Sequence, residues 1–266
     1  MLPTRHDCPL SRVAAAVAIL VALDGRHAGA ANGWPDERIA GPFAWHADFP
    51  LDSCRSLLDE MAGLQRDLMR TLNLHPTQET IHLFLFHREA VYRRYVAEYL
   101  PNVPYRRALF VKERGPGMVF AYRNADLAID LRHEGTHALL HASLPVVPLW
   151  LDEGLAEYFE VPAADRAFRH PHLPSVRWGV RWGNVPAMQR LEQLRDLQEM
   201  GQTEYRHAWA WVHFLVHGPA DARDEFLRYL GDIQGHTPPG TLSERLARRV
   251  PNLDREFADH FRRWRQ

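Results

Sequence analysis

Apolar residues change period along this chain, and the changes divide it into elements. Phe43 to Phe49 alternates apolar and polar side chains, the period-two signature of a half-buried strand. Leu57, Leu58, Met61, Leu64, Leu68 and Leu72 then recur at three- and four-residue intervals, which predicts one helix over 51–72. Ile81 to Phe86 is a short apolar strand, and 88–99 a second helix. Leu109 to Lys112 and Met118 to Tyr122 read as two strands around a turn at Gly115-Pro116-Gly117. Further on, the helical period returns over 187–200, 204–217, 222–233 and 242–265, after a loop-like stretch rich in proline, glycine, histidine and tryptophan from 162 to 183. No internal repeat is evident. The expected fold class is α+β: a small mixed β-sheet lobe with helices, then a largely helical C-terminal lobe.

The N-terminus reads differently. Arg5 and Arg12 are followed by the apolar run Val13 to Leu23, too short to span a bilayer as a helix, and Ala28-Gly29-Ala30 offers a small-residue cleavage site. Residues 1–30 are therefore expected to be a secretory signal peptide, with an uncleaved anchor as the alternative. That implies a periplasmic or extracellular protein with no stable membrane span after cleavage. About 235 residues follow residue 30, enough for one large domain or two small lobes sharing a cleft. The expected division is 31–124, 125–162 and 163–266, all within one catalytic domain. Of the 2 cysteines only Cys54 follows the signal segment, so no internal disulfide is available to the mature chain. With 32 basic against 33 acidic residues there is no electrostatic footprint for nucleic acid.

The chemistry concentrates between the two lobes. His133-Glu134-Gly135-Thr136-His137 is an H-E-x-x-H motif on a helical stretch. Residues four apart share one helix face, so His133 and His137 can aim at a single ion. Glu134 is turned about 100° away and can instead reach a water acidified by the metal. His141 extends the stripe but lies eight residues from His133, a rise of about 12 Å, too far to share one ion with it. The segment 145–148 carries two prolines that end this helix, and a second helix can start near Asp152. That helix brings Glu153 opposite the histidine pair as third ligand. Glu157 lies one turn on and is the first candidate to accept the other N–H of a ligating histidine; Asp152 is the second. Zn2+ is the expected cofactor, although donor affinity alone does not choose among divalent ions.

HEGTH followed by Trp150-Leu151-Asp152-Glu153-Gly154-Leu155-Ala156-Glu157-Tyr158-Phe159-Glu160 resembles the gluzincin metallopeptidases, and among them the peptidase-MA-like domains of secreted bacterial proteins. The likeness is strong over 125–161 and looser over 43–122 and 205–217. It implies that the glutamate before Gly-Leu-Ala, Glu153, is a metal ligand, and that the sheet lobe binds an extended peptide or protein substrate by strand addition. Met118 to Tyr122 is a candidate for that edge strand, with an interior strand as the alternative. The resemblance also implies an oxyanion donor from a C-terminal helix, for which Tyr205 is the first candidate and His207 or His213 the reserve. A Gly-x-Met-Glu-Asn motif, used by aminopeptidases of this group to capture a free N-terminus, is missing, which favours endo-acting cleavage. The rival functions are a zinc amidase acting on cell-wall or other non-protein amides, and a non-catalytic zinc-bound binding domain.

Overall fold

The computed structural model describes residues 34–113 and 115–265. The expected signal segment lies outside these residues. Among the described residues no helix is long and apolar enough to cross a membrane. The fold is mixed α+β. Five strands form one sheet: β1 (Asp36–Ala40), β2 (Phe43–Ala47), β3 (Ile81–Phe86), β4 (Ala108–Val111) and β5 (Met118–Tyr122). Their order is β1-β2-β3-β5-β4. The inner pairs β2–β3 and β3–β5 are parallel, and the outer pairs β1–β2 and β4–β5 are antiparallel.

Helices cover both faces of the sheet, and this explains its side-chain pattern. Ile81, Leu83, Leu85, Val119 and Ala121 point into the main core, with α1 (Arg55–Leu72) and α3 (Leu127–Ser143). Phe84, Phe86, Met118, Phe120 and Tyr122 point the other way, into a second cluster closed by α2 (Glu89–Tyr99). Strands β3 and β5 are buried on both faces, so they read as apolar runs and not as alternation. Met118–Tyr122 is an interior strand, not an edge; that edge of the sheet is β4, its antiparallel partner across the turn.

The remaining helices are α4 (Leu149–Phe159), α5 (Leu173–Arg181), α6 (Met188–Glu192), α7 (Gln202–His217), α8 (Ala220–Gln234), α9 (Leu242–Arg249) and α10 (Leu253–Arg263). The main core runs without interruption from Phe43 to Phe261, so the sheet and the C-terminal helices share one interior. Helix α4 is almost wholly buried within it, packed between α3 and α7.

Four elements differ from the sequence-based expectation. The stretch 162–183 contains helix α5, because Pro174 in its first turn is compatible with a helix and Leu173, Val176 and Val180 supply a buried stripe. The segment 187–200 is not one helix: α6 ends at Glu192, and Asp196 and Glu199 form a reciprocal capping box around a short 3-10 turn, Leu197–Glu199. The segment 242–265 divides at Pro251, which cannot donate to the helix ladder, and Asn252 turns the chain in the left-handed region (φ 54°). Strand β1 was not anticipated; it is half exposed at the sheet edge, and Ile39 is 81% exposed.

Candidate metal centre

Two consecutive helices build the site. Helix α3 presents His133 and His137 one turn apart, with ring centroids 5.0 Å apart. The chain breaks at Leu144, crosses the prolines and re-enters a helix at Leu149, where Pro148 accepts the first backbone bonds of α4 from Leu151 and Asp152. This connection folds α4 back onto α3 and brings Glu153 against the histidines. Glu153 Oε2 lies 3.6 Å from His133 Nε2 and 3.7 Å from His137 Nε2. Donor atoms about 2.0–2.1 Å from a shared tetrahedral zinc sit about 3.4 Å from one another. The three donors therefore converge at metal-site spacing, with all ligand atoms within 4.8 Å.

The opposite ring nitrogens are held by carboxylates. His133 Nδ1 donates to Glu160 Oε2 at 3.0 Å. His137 Nδ1 lies 2.9 Å from Asp152 Oδ1, close enough for an ion pair but not aligned for a straight hydrogen bond. Asp152 Oδ2 accepts from His141 Nε2 at 2.8 Å, so His141 is committed to the support of the site and does not join the ligand group. Glu160 thus fixes the tautomer and orientation of the His133 ring, and Asp152 holds the His137 ring from behind, leaving both Nε2 atoms facing Glu153.

Glu157 is placed differently from the expectation. Its Oε2 accepts from His172 Nε2 at 2.9 Å, and its backbone oxygen accepts from His170 Nε2. The residue against His133 is Glu160, one turn further along. Helix α4 continues only to Phe159, and Arg132 donates to the backbone oxygen of Glu160, which fixes the end of the helix against α3. Arg132 is buried and also pairs with Glu60 on α1 at 3.0 Å. Glu160 was visible as the last acid of the WLDEGLAEYFE run, but its reach depends on the crossing of α3 and α4. Ligand atoms of His133, Glu157 and Glu160 also lie within 4.8 Å of one another. These carboxylates already accept from His133 and His172, which makes them supports and not an independent ligand set.

The electrostatics suit a cation. Burial disfavours a charged His133, yet its contacts with Glu153 and Glu160 outweigh burial and hold its pKa well above the ordinary imidazole value. Burial likewise opposes charge on His137, and Asp152 and Glu153 raise its pKa. Asp152 is nearly enclosed; burial pushes its pKa up, but His137 and His141 overcome this and hold it below the usual carboxylate range. The carboxylates that raise the proton affinity of both histidines favour positive charge at this point, which a divalent ion would supply in place of protons. Glu134 is half-buried beside the pair and takes no part in the hydrogen bonds and ion pairs that tie its neighbours among the described residues.

Two further elements lie close to the site. The edge strand β4 lies against α3: Phe110 is nearly parallel to the His137 ring, and Lys112 Nζ donates to the His141 backbone oxygen and to Glu79. Arg107, just before β4, pairs with Asp126 and with Asp130 at the start of α3. Tyr205 is in the first turn of α7, half-buried against the main core. Burial pushes its phenol up to about 12, and the charges of Glu153, Glu157 and Glu134 add to this while Arg106 opposes it. Tyr205 therefore lies within the field of the metal group. His213 does not belong to it: it is fully buried, donates to the Ala167 backbone oxygen and contacts His260. His207 lines a surface groove with Arg206 and Trp178.

No known family model matches this chain, and no curated protein sequence matches it significantly.

Proposed function

We propose that this protein is an exported zinc-dependent peptidase of gluzincin type. The observation that carries the reading is the convergence of His133 Nε2, His137 Nε2 and Glu153 Oε2, with an uncommitted carboxylate, Glu134, on the adjoining turn. His133, His137 and Glu153 hold the ion. When bound, it supplies Lewis acidity that acidifies water and polarises a carbonyl. Three protein donors leave room for both, whereas a structural site is closed by four. The spare histidines nearby support an open site, since His141 is held by Asp152 and His172 by Glu157.

Glu134 takes the proton from the attacking water and passes it to the departing amine. Tyr205 stays protonated over the whole working range, because its pKa is raised to about 12, so its hydroxyl can donate to the developing oxyanion. Strand β4 is a terminal strand of the sheet and packs against the helix that carries the histidines. An extended peptide added to it would run beside Phe110 and past the histidine pair, with main-chain bonds supplying affinity.

The test compares wild type with Glu134→Gln and Glu153→Ala. Zinc measured by elemental analysis should remain in Glu134→Gln and be lost from Glu153→Ala, while a diverse peptide library should be cleaved by wild type alone. Zinc in wild type without cleavage of any peptide would overturn the peptidase reading. Absence of zinc after reconstitution would overturn the metal centre itself.

A further inference from the structure

Helix α5 carries a feature that the metal site does not use. Its inner face, Leu173, Val176 and Val180, is buried against neighbouring helices. Its outer face carries Trp178, and Trp182 caps its C-terminal end; they are 63% and 70% exposed. The two indoles are one turn apart and meet edge to face at 5.7 Å. Large apolar side chains exposed side by side mark an interaction surface.

The flanks of this helix are cationic. On one side a groove of about 710 Å³ is lined by Arg169, Arg177, Arg181, Arg262 and Arg265, and no carboxylate lines it. Arg169 pairs with Asp165 and Arg262 with Asp259, but Arg177, Arg181 and Arg265 have no ion-pair partner among the described residues. The floor is apolar, formed by Phe168, Leu173 and Phe261. On the other side a second groove of about 520 Å³ includes Arg206, and Trp178 lines both. Helix α5 is thus a ridge with indoles at its crest and guanidiniums below. This concentration stands out in a chain of net charge −1.

We propose that α5 docks this protein on a bilayer surface bearing anionic phospholipid. Indoles favour the boundary between headgroups and acyl chains, and guanidinium groups on the flanks pair with lipid phosphates. A fluid headgroup layer closes around a convex ridge, whereas a folded partner would need a matching groove. Neither groove includes His133, His137 or Glu153, so the inference stands apart from the metal chemistry.

The test is co-sedimentation of the full chain with vesicles of phosphatidylcholine alone or with about one third phosphatidylglycerol, for wild type, Arg177→Gln/Arg181→Gln and Trp178→Phe/Trp182→Phe. All three carry the same N-terminal apolar run, so differences between them report on α5. Wild type should favour the anionic vesicles and be released by high salt. The arginine variant should partition about 30-fold more weakly, from the contribution of each basic residue near an anionic surface. Brominated lipid should quench wild-type tryptophan fluorescence and leave that of the tryptophan variant largely unchanged. Unchanged melting temperatures would show that both variants fold. Equal binding to both vesicle types, or equal binding by wild type and the arginine variant, would overturn the proposal. So would capture on immobilised polyglutamate without binding to vesicles, which would identify an acidic polypeptide as the occupant.

Discussion

A methyl group added to Gly154 would lie 2.8 Å from the carbonyl oxygen of Ala208. This close approach sets the packing of α4 on α7, and through it the distance between Glu153, the neighbour of Gly154, and Tyr205, three residues before Ala208. Gly154→Ala must push the two backbones apart, at a cost of about 1–3 kcal/mol. Gly135 makes a useful contrast. A methyl group there meets the terminal methyl of the buried Met61, the far end of a flexible side chain, at 2.6 Å, and alanine favours the helix by about 1 kcal/mol, which offsets the cost of moving it. Thermal unfolding should show a clear loss for Gly154→Ala and a change near zero for Gly135→Ala. Equal losses would mean that α4 and α7 are not in the contact described.

The carboxylates behind the histidines should matter for metal affinity in a defined order. Asp152→Asn and Glu160→Gln each weaken the orientation of one ligand and should lower affinity about 10–100-fold. Glu157→Gln loses a bond to His172, not to a ligand, and should bind close to wild type. Competition with a chromophoric chelator measures all three. A larger effect at Glu157 than at Glu160 would reverse the assignment.

Tyr205→Phe removes one hydroxyl from the edge of the site. If that hydroxyl donates to the oxyanion, kcat falls about 10²–10³-fold while zinc content and KM hold. With its pKa raised to about 12, Tyr205 also leaves no alkaline limb in the rate profile below pH 9. A variant with wild-type kcat would return Tyr205 to a packing role.

Acid should loosen the C-terminal helices. His217 accepts from the Tyr158 hydroxyl or donates to it at 2.8 Å, and His213 contacts His260 at 3.0 Å. Burial pushes His217 and His260 down to about 4, and His213 well below its ordinary value. Unfolded imidazoles titrate near 6.5, so between about pH 6.5 and 4 the unfolded chain binds more protons. The share of stability that these three supply is then complete above about pH 6.5 and falls with decreasing pH by about 1.4 kcal/mol per unit for each histidine. Denaturant titrations at pH 7, 6 and 5 should show this decline, and a flat profile would contradict the buried neutral cluster.

Local patterns carried much of this protein. The four-residue spacing of His133 and His137 is a property of any helix, and the prolines at 145 and 148 end that helix whatever it packs against. Ile81–Phe86 and Met118–Tyr122 were legible as strands from their apolar runs. Long-range geometry decided the rest. Whether Glu157 or Glu160 meets His133 depends on how α4 crosses α3, and Arg132 holds that crossing. Sheet order places β5 between β3 and β4, and a run of five buried residues does not itself tell which strands flank it. Capping and proline broke the two long C-terminal patterns where periodicity continued through them. Periodicity reports which face of a segment avoids water; it carries no information on which other segment covers that face. That pairing is settled by the packing of the whole core, and it is the pairing that assembles the site.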